Sequence, residues 1–201
     1  MRRHLGRRAA CATAAVCLGL GAAAQPPPTY RSAVIALTAD PELRAELEQG
    51  LVEKARQHDY DAVTSFDIIP EARRLDDRGV TRRLAAEGIQ AVLMMRPAAA
   101  GPGATLASIQ DDVSPETYAD IRKFAREVSP TDGEEVVAIV HMAIYVLVGE
   151  RAELVSSGAV WLNEEPASRE QALDRLQDLI VANVDLVRPQ VREHLGLPPL
   201  E

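Results

Sequence analysis

Few side chains in this 201-residue sequence have the type and spacing to do chemistry. Both cysteines, Cys11 and Cys17, fall in the first 24 residues. Once that segment is removed, no disulfide, thiolate nucleophile or cysteine-bound metal can form. His58 stands at a helix end, where it can meet the last carbonyls; His141 lies within a strand, and His194 near the C-terminus. None has a second histidine or a carboxylate at i+3 or i+4 on the same helix face, as a metal pair requires. The chain has no G-x-S-x-G elbow, no Walker-type phosphate loop and no G-x-G-x-x-G turn. Gly101-Pro102-Gly103 reads as a loop breaker. Asp111-Asp112 would hold a hard cation only if more oxygens converged on it, and a solvated loop tip is the simpler reading. No catalytic residue, metal site or cofactor is therefore expected.

Arg96 is the residue best placed to bind something. It directly follows an apolar strand, at the carboxyl edge where open parallel sheets hold their ligands. Asp67 and Asp40 fall near the corresponding ends of two earlier strands. Arg96, Asp67 and Asp40 thus form the candidate binding set, read either as an anion site or as a buried structural Arg–Asp pair.

The elements that must position these residues follow from hydrophobic periodicity. Residues 32–39 (SAVIALTA) have the length of a buried strand. Asp40-Pro41 is an N-cap followed by an N1 proline, and Leu43, Leu47, Leu51 and Ala55 with Val52 stripe a helix over 41–57. Residues 61–69 form a second strand stopped by Pro70. A short helix over 80–87 is closed by Gly88, with Ile89 as its apolar follower. Residues 91–95 (AVLMM) are apolar on both faces, as a central parallel strand should be. Right-handed crossovers predict parallel pairing of these three strands, the first beside the second or third. Arg96-Pro97 ends the third; residues 98–114 are a long Ala/Gly connection, and 115–128 another helix.

Residues 136–148 and 154–162 then read as a β-hairpin around the turn 149–152, extending the same sheet antiparallel. In its second arm Leu154, Ser156, Gly158, Val160 and Leu162 share one face. Ser168 to Gln171 is a capping box that opens a helix with Ala172, Leu173, Leu176, Leu179, Ile180 and Val184 inward; Pro189 bends or restarts it and Gly196 ends it. The expected fold is α/β: a mixed sheet of about five strands, covered by helices that include a long C-terminal one.

Residues 1–24 have the build of a cleavable signal peptide. Arg2, Arg3, Arg7 and Arg8 precede a modestly apolar run, and Ala22-Ala23-Ala24 offers a cleavage site before Gln25. The run is too short and too diluted by Thr13, Gly19 and Gly21 to span a bilayer. Neither cysteine has a lipobox context, so a lipid-anchored form is the lesser expectation. A Pro-rich leader follows at 25–31, then one domain over 32–201. The net charge is −8. Removing residues 1–24 leaves 18 basic against 30 acidic side chains, a net −12. Such a surface repels phosphate backbones and anionic headgroups, which argues against nucleic-acid binding.

The pieces VIALTADPELRAELEQGLVEKA (34–55), DAVTSFDIIP (61–70), GIQAVLMMR (88–96) and the stretch from Gly158 through Trp161 to Gly196 resemble a family of bacterial envelope lipoproteins whose own role is uncharacterised. That family carries an arginine at the position of Arg96. The element order is also similar to peptidoglycan-synthase activator lipoproteins, the periplasmic part of the curli secretion lipoprotein and the N-terminal domain of the Tol β-propeller protein. The resemblance implies partner binding without chemistry. The chain departs from the family in lacking a convincing lipobox and in carrying an Ala/Gly loop and helix where relatives have a Tyr/Gly/Pro-rich insertion.

The expected function is thus a non-enzymatic periplasmic accessory or scaffold protein, binding an envelope protein or cell-wall component, with no transmembrane segment after processing. The alternative is a periplasmic small-molecule or ion-binding protein with its site at the carboxyl ends of the parallel strands. The sequence leaves the oligomeric state open.

Overall fold

The computed structural model describes residues 29–69, 78–105, 107, 115, 119, 136–162 and 166–200. The signal segment expected over 1–24, Asp111-Asp112 and nearly all of the helix expected over 115–128 lie outside the described residues. The elements are β1 (Arg31–Ala36), α1 (Pro41–Gln57), β2 (Asp61–Thr64), α2 (Arg78–Ala86), β3 (Ala91–Ala104), β4 (Val136–Val148), β5 (Arg151–Leu162) and α3 (Arg169–His194). They form one five-stranded sheet in the order β2-β1-β3-β4-β5. β1 pairs in parallel with both β2 and β3, while β4 and β5 add antiparallel. The α/β class, the parallel trio and the hairpin in the same sheet are as the periodicity predicts.

The sheet separates two cores. On one face Val34, Met95, Val140, Met142 and Val160 meet Leu47 and Leu51 of α1 and Leu176 and Ile180 of α3. On the other, Ala33, Ile35 and Val92 meet Val80 and Leu84 of α2, with Ile69 and Ile89. β3 lies between β1 and β4, so it needs apolar side chains on both faces. The helix ends follow local chemistry. Gly88 (φ 74°) and Gly196 (φ 66°) sit past α2 and α3. The following N–H closes back five residues, Ile89 to the Leu84 carbonyl and Leu197 to that of Arg192. Past α1 the same left-handed position is taken by Asp59 (φ 60°), and the Tyr60 N–H bonds the Ala55 carbonyl.

Several expectations need correction. The leader does not extend to residue 31: Tyr30 is buried and β1 starts at Arg31. β1 and β2 are shorter than expected, and β2 gives way at Ser65 to a turn that carries Ile69 into the second core. β3 does not stop at Arg96-Pro97 but runs to Ala104, through residues expected to be loop. Its partner β1 ends opposite Met95, so Pro97 lies where β3 is paired only with β4. A proline is tolerated at such one-sided, irregular positions, and the register shifts between Pro97 and Ala99. Finally, the hairpin turn has two residues, Gly149-Glu150, joining Val148 directly to Arg151. Gly149 has φ 62° and Glu150 does not share that sign, the pattern of a type II′ turn.

A register shift opposite Ile144/Tyr145 leaves Val155 as an extra residue in β5. This bulge breaks the strict alternation of the second arm. Leu154 pairs with Tyr145, away from Ser156, and is exposed, while Val155 packs against the first core. Leu179, expected inward on α3, is also exposed. No helix among the described residues is long and apolar enough to cross a membrane.

Candidate functional site

The carboxyl ends of β1 and β2 hold a buried polar cluster built from α1. Arg44 and Glu48 are one turn apart on the row that continues to Val52, so docking the leucine stripe carries both charges inside; Glu48 is 0% exposed and Arg44 6%. The Glu48 carboxylate accepts hydrogen bonds from the backbone N–H of Ala36 (3.0 Å), Ser65 (2.7 Å) and Phe66 (3.2 Å). It also accepts from Arg44 Nε (2.9 Å) and the Ser65 hydroxyl (2.9 Å). Arg44 Nη2 donates to Ser65 Oγ and to the Ile69 carbonyl, each at 2.9 Å. This is the arrangement that a bound anion would have at the end of a parallel sheet, with the protein's own carboxylate as the anion.

The three sequence-derived candidates do not gather there. Asp40 is exposed and caps α1, its Oδ1 accepting from the N–H groups of Glu42 (2.9 Å) and Leu43 (3.2 Å). Asp67 is exposed in the turn after β2. Both aspartates lie at the surface, and the buried Arg–carboxylate pair at this end of the sheet is Arg44–Glu48. Arg96 sits in β3 opposite His141 of β4.

His141 shares a sheet face with Arg96, and Ala159 is its neighbour from β5. Its Nε2 is buried and meets no hydrogen-bond partner among the described residues. Burial, and then the charge of Arg96, hold the imidazole pKa below the ordinary value. An unfolded His141 titrates near about 6.5, so below that pH the unfolded chain binds more protons than the folded one. Stability is then complete above the ordinary histidine range and falls as the pH drops through it, until the depressed native pKa is passed. In urea titrations between pH 8 and 5, the midpoint of the native chain should fall more steeply than that of His141→Leu; parallel curves would remove His141 from the account.

At the opposite end of the sheet α3 is tied to the start of β2. Asp185 bridges His58 Nδ1 (2.8 Å) and the Tyr60 hydroxyl, which donates to it at 2.7 Å. Arg188 lies over the Tyr60 ring at 4.2 Å and donates to the His58 and Asp59 carbonyls. Burial, then the bond to Asp185, push the Tyr60 phenol pKa up. Here His58 joins two helices through its side chain, while its backbone N–H closes the end of α1. His194 Nδ1 faces the Gln190 carbonyl of its own helix at 2.8 Å. Among the described residues no three His, Cys, Asp or Glu side chains converge to hold a metal ion.

An open groove of about 930 Å³ runs along β2, the outer strand of the sheet among the described residues, past Arg56, Val63, Thr64, Phe66, Asp67 and Glu87. Arg56 crosses this edge, donating twice to the Ala62 carbonyl (3.0 and 3.2 Å). Such a blocked edge resists indiscriminate strand pairing. The sequence signal for the groove is weak, since only Asp67 among its lining residues stands out by position. Sequence reasoning misses the Arg44–Glu48 pair although its spacing is visible, because the charges flank the leucine stripe.

Fold and site together define a single-sheet α/β domain whose ligand-type pole is closed from within and whose open groove lies at the β2 edge. No protein-family model and no curated protein matches the chain. Among solved structures it is similar to a PelC dodecamer from Paraburkholderia phytofirmans, determined as a point variant, at 10% identity over 78% of this chain and 93% of that one, with a TM-score of 0.41. It is also similar to lipoprotein GNA1162 from Neisseria meningitidis, at 13% identity over 79% of this chain and 99% of that one, with a TM-score of 0.36.

Proposed function

We propose that this chain is a non-enzymatic accessory or scaffold protein of the bacterial periplasm, binding an envelope protein or cell-wall component along the β2-edge groove. The observation that carries this reading is the closed carboxyl pole. Where an α/β sheet offers a ligand its backbone N–H groups, Glu48 already holds those of Ala36, Ser65 and Phe66. That leaves little for the alternative of a small molecule or ion at the strand ends. The groove, by contrast, offers a half-buried aromatic (Phe66) and two arginines (Arg31, Arg56), residue types enriched at interfaces, beside the carboxylates Glu53, Asp67 and Glu87. Export rests on the basic start, apolar run and Ala22–Ala24 of the first 24 residues.

A photo-crosslinking amino acid at Asp67 should give one discrete adduct in cells, whereas the same probe at exposed Arg83 of α2 should give none. Identical patterns from both positions, or no adduct from Asp67, would overturn the reading.

A further inference from the structure

The outer edge of β2 presents main-chain groups that its neighbour β1 does not use. The Ser65 N–H bonds the Val34 carbonyl, and Val34 stands opposite Thr64 in the parallel register. Along such a strand successive residues turn their N–H and C=O to opposite sides. Asp61, Val63 and Ser65 therefore face β1, while Ala62 and Thr64 face outward. The Ala62 carbonyl is covered by Arg56, whose Nε and Nη2 donate to it at 3.2 and 3.0 Å. Thr64 is half-buried and has no comparable cover among the described residues. The groove beside this edge is walled from both faces of the sheet. Val52 and Glu53 come from α1 over one face, and Ile68 and Glu87 from the turn after β2 and the end of α2 over the other.

We propose that the groove takes an extended polypeptide segment of the partner, which joins the sheet as an added strand beside β2, and that Arg56 is the gate it must displace from the Ala62 carbonyl. This rests on the groove being the partner site and names what enters it. Two features select the occupant. Outward N–H and C=O groups at two-residue spacing are complementary to another extended backbone. A strand also sends its side chains alternately to the two faces, which is how the walls of the groove are disposed. Arg56 supplies the selectivity. Its side chain is exposed, so it can swing into water with little desolvation, yet in place it denies the carbonyl to a passing strand.

The test combines the Asp67 photo-crosslinker, in the full chain in cells, with substitutions that alter the edge. Thr64→Pro removes the outward N–H and no bond to β1, a position where an edge strand tolerates proline. It should abolish the adduct while the circular dichroism and melting curve of the purified variant stay native. Thr64→Val keeps the N–H and should keep the adduct. Arg56→Ala uncovers the Ala62 carbonyl and should raise the adduct yield, a reading that needs no proline in the strand. No adduct from the native chain would overturn the groove reading itself. A native adduct that survives Thr64→Pro in a folded chain, is lost equally in Thr64→Val, contains no polypeptide, or does not increase in Arg56→Ala would overturn the added strand and leave the groove reading standing.

Discussion

Replacing Glu48 by alanine should destabilise the fold by about 3–5 kcal/mol, the usual result of removing one partner from a buried ion pair. The reason is what stays behind. Arg44 remains inside without the Glu48 carboxylate, the N–H groups of Ala36 and Phe66 lose their acceptor, and that of Ser65 keeps only the Val34 carbonyl. The double variant Arg44→Met, Glu48→Leu should recover only part of the loss. An apolar pair removes the buried guanidinium as well, but it leaves the buried Ala36 N–H without an acceptor, at a cost of about 1–3 kcal/mol, and the half-buried Phe66 N–H without its carboxylate. Urea unfolding followed by circular dichroism measures both. Full recovery in the double variant would mean that Glu48 serves only to neutralise Arg44.

Leu176→Ala should be comparable in size, about 2–5 kcal/mol. Leu176 is 5% exposed, in the core that α3 shares with α1 and the sheet. Truncation there leaves a void between layers that meet through rigid secondary structure and close up only partly. Leu186→Ala on the same helix is the control: with its side chain mostly in solvent, it should change stability by no more than about 0.5 kcal/mol. Equal losses at the two positions would show that the facing of α3 has been misassigned.

Where sequence and structure agree, a single local rule is enough. The stripe from Leu43 to Ala55, the capping pair Asp40-Pro41 and the glycines past α2 and α3 each act within a few residues. The two-faced apolarity of residues 91–95 directly states a central strand. The misses need information from elsewhere in the chain. Pro97 looks like a stop until β4 is known to pair past it after β1 has ended. Leu154 looks like a member of the Ser156 face until the bulge at Val155 is known. At the candidate site, Arg96, Asp67 and Asp40 qualify by nearness to strand ends, which says nothing about which side chains turn inward. Arg44 and Glu48 do turn inward because α1 docks its leucines, and the row 44–48–52 shows it once that docking direction is known. The bridge from His58 through Asp185 to Tyr60 joins residues more than 120 positions apart, and no local pattern reports it.

The Glu48 cluster also determines how this half of the molecule can open. One carboxylate holds the end of β1 through Ala36 and the turn after β2 through Ser65 and Phe66, while Arg44 holds Ile69. Lifting α1 off the sheet withdraws the shared acceptor from Ala36 and Phe66 at once, while Ser65 keeps its bond to the Val34 carbonyl until β1 and β2 part. In the language of hydrogen exchange, α1, the end of β1 and the turn after β2 open as one cooperative unit, and protection at Ala36 and Phe66 reports a single opening free energy.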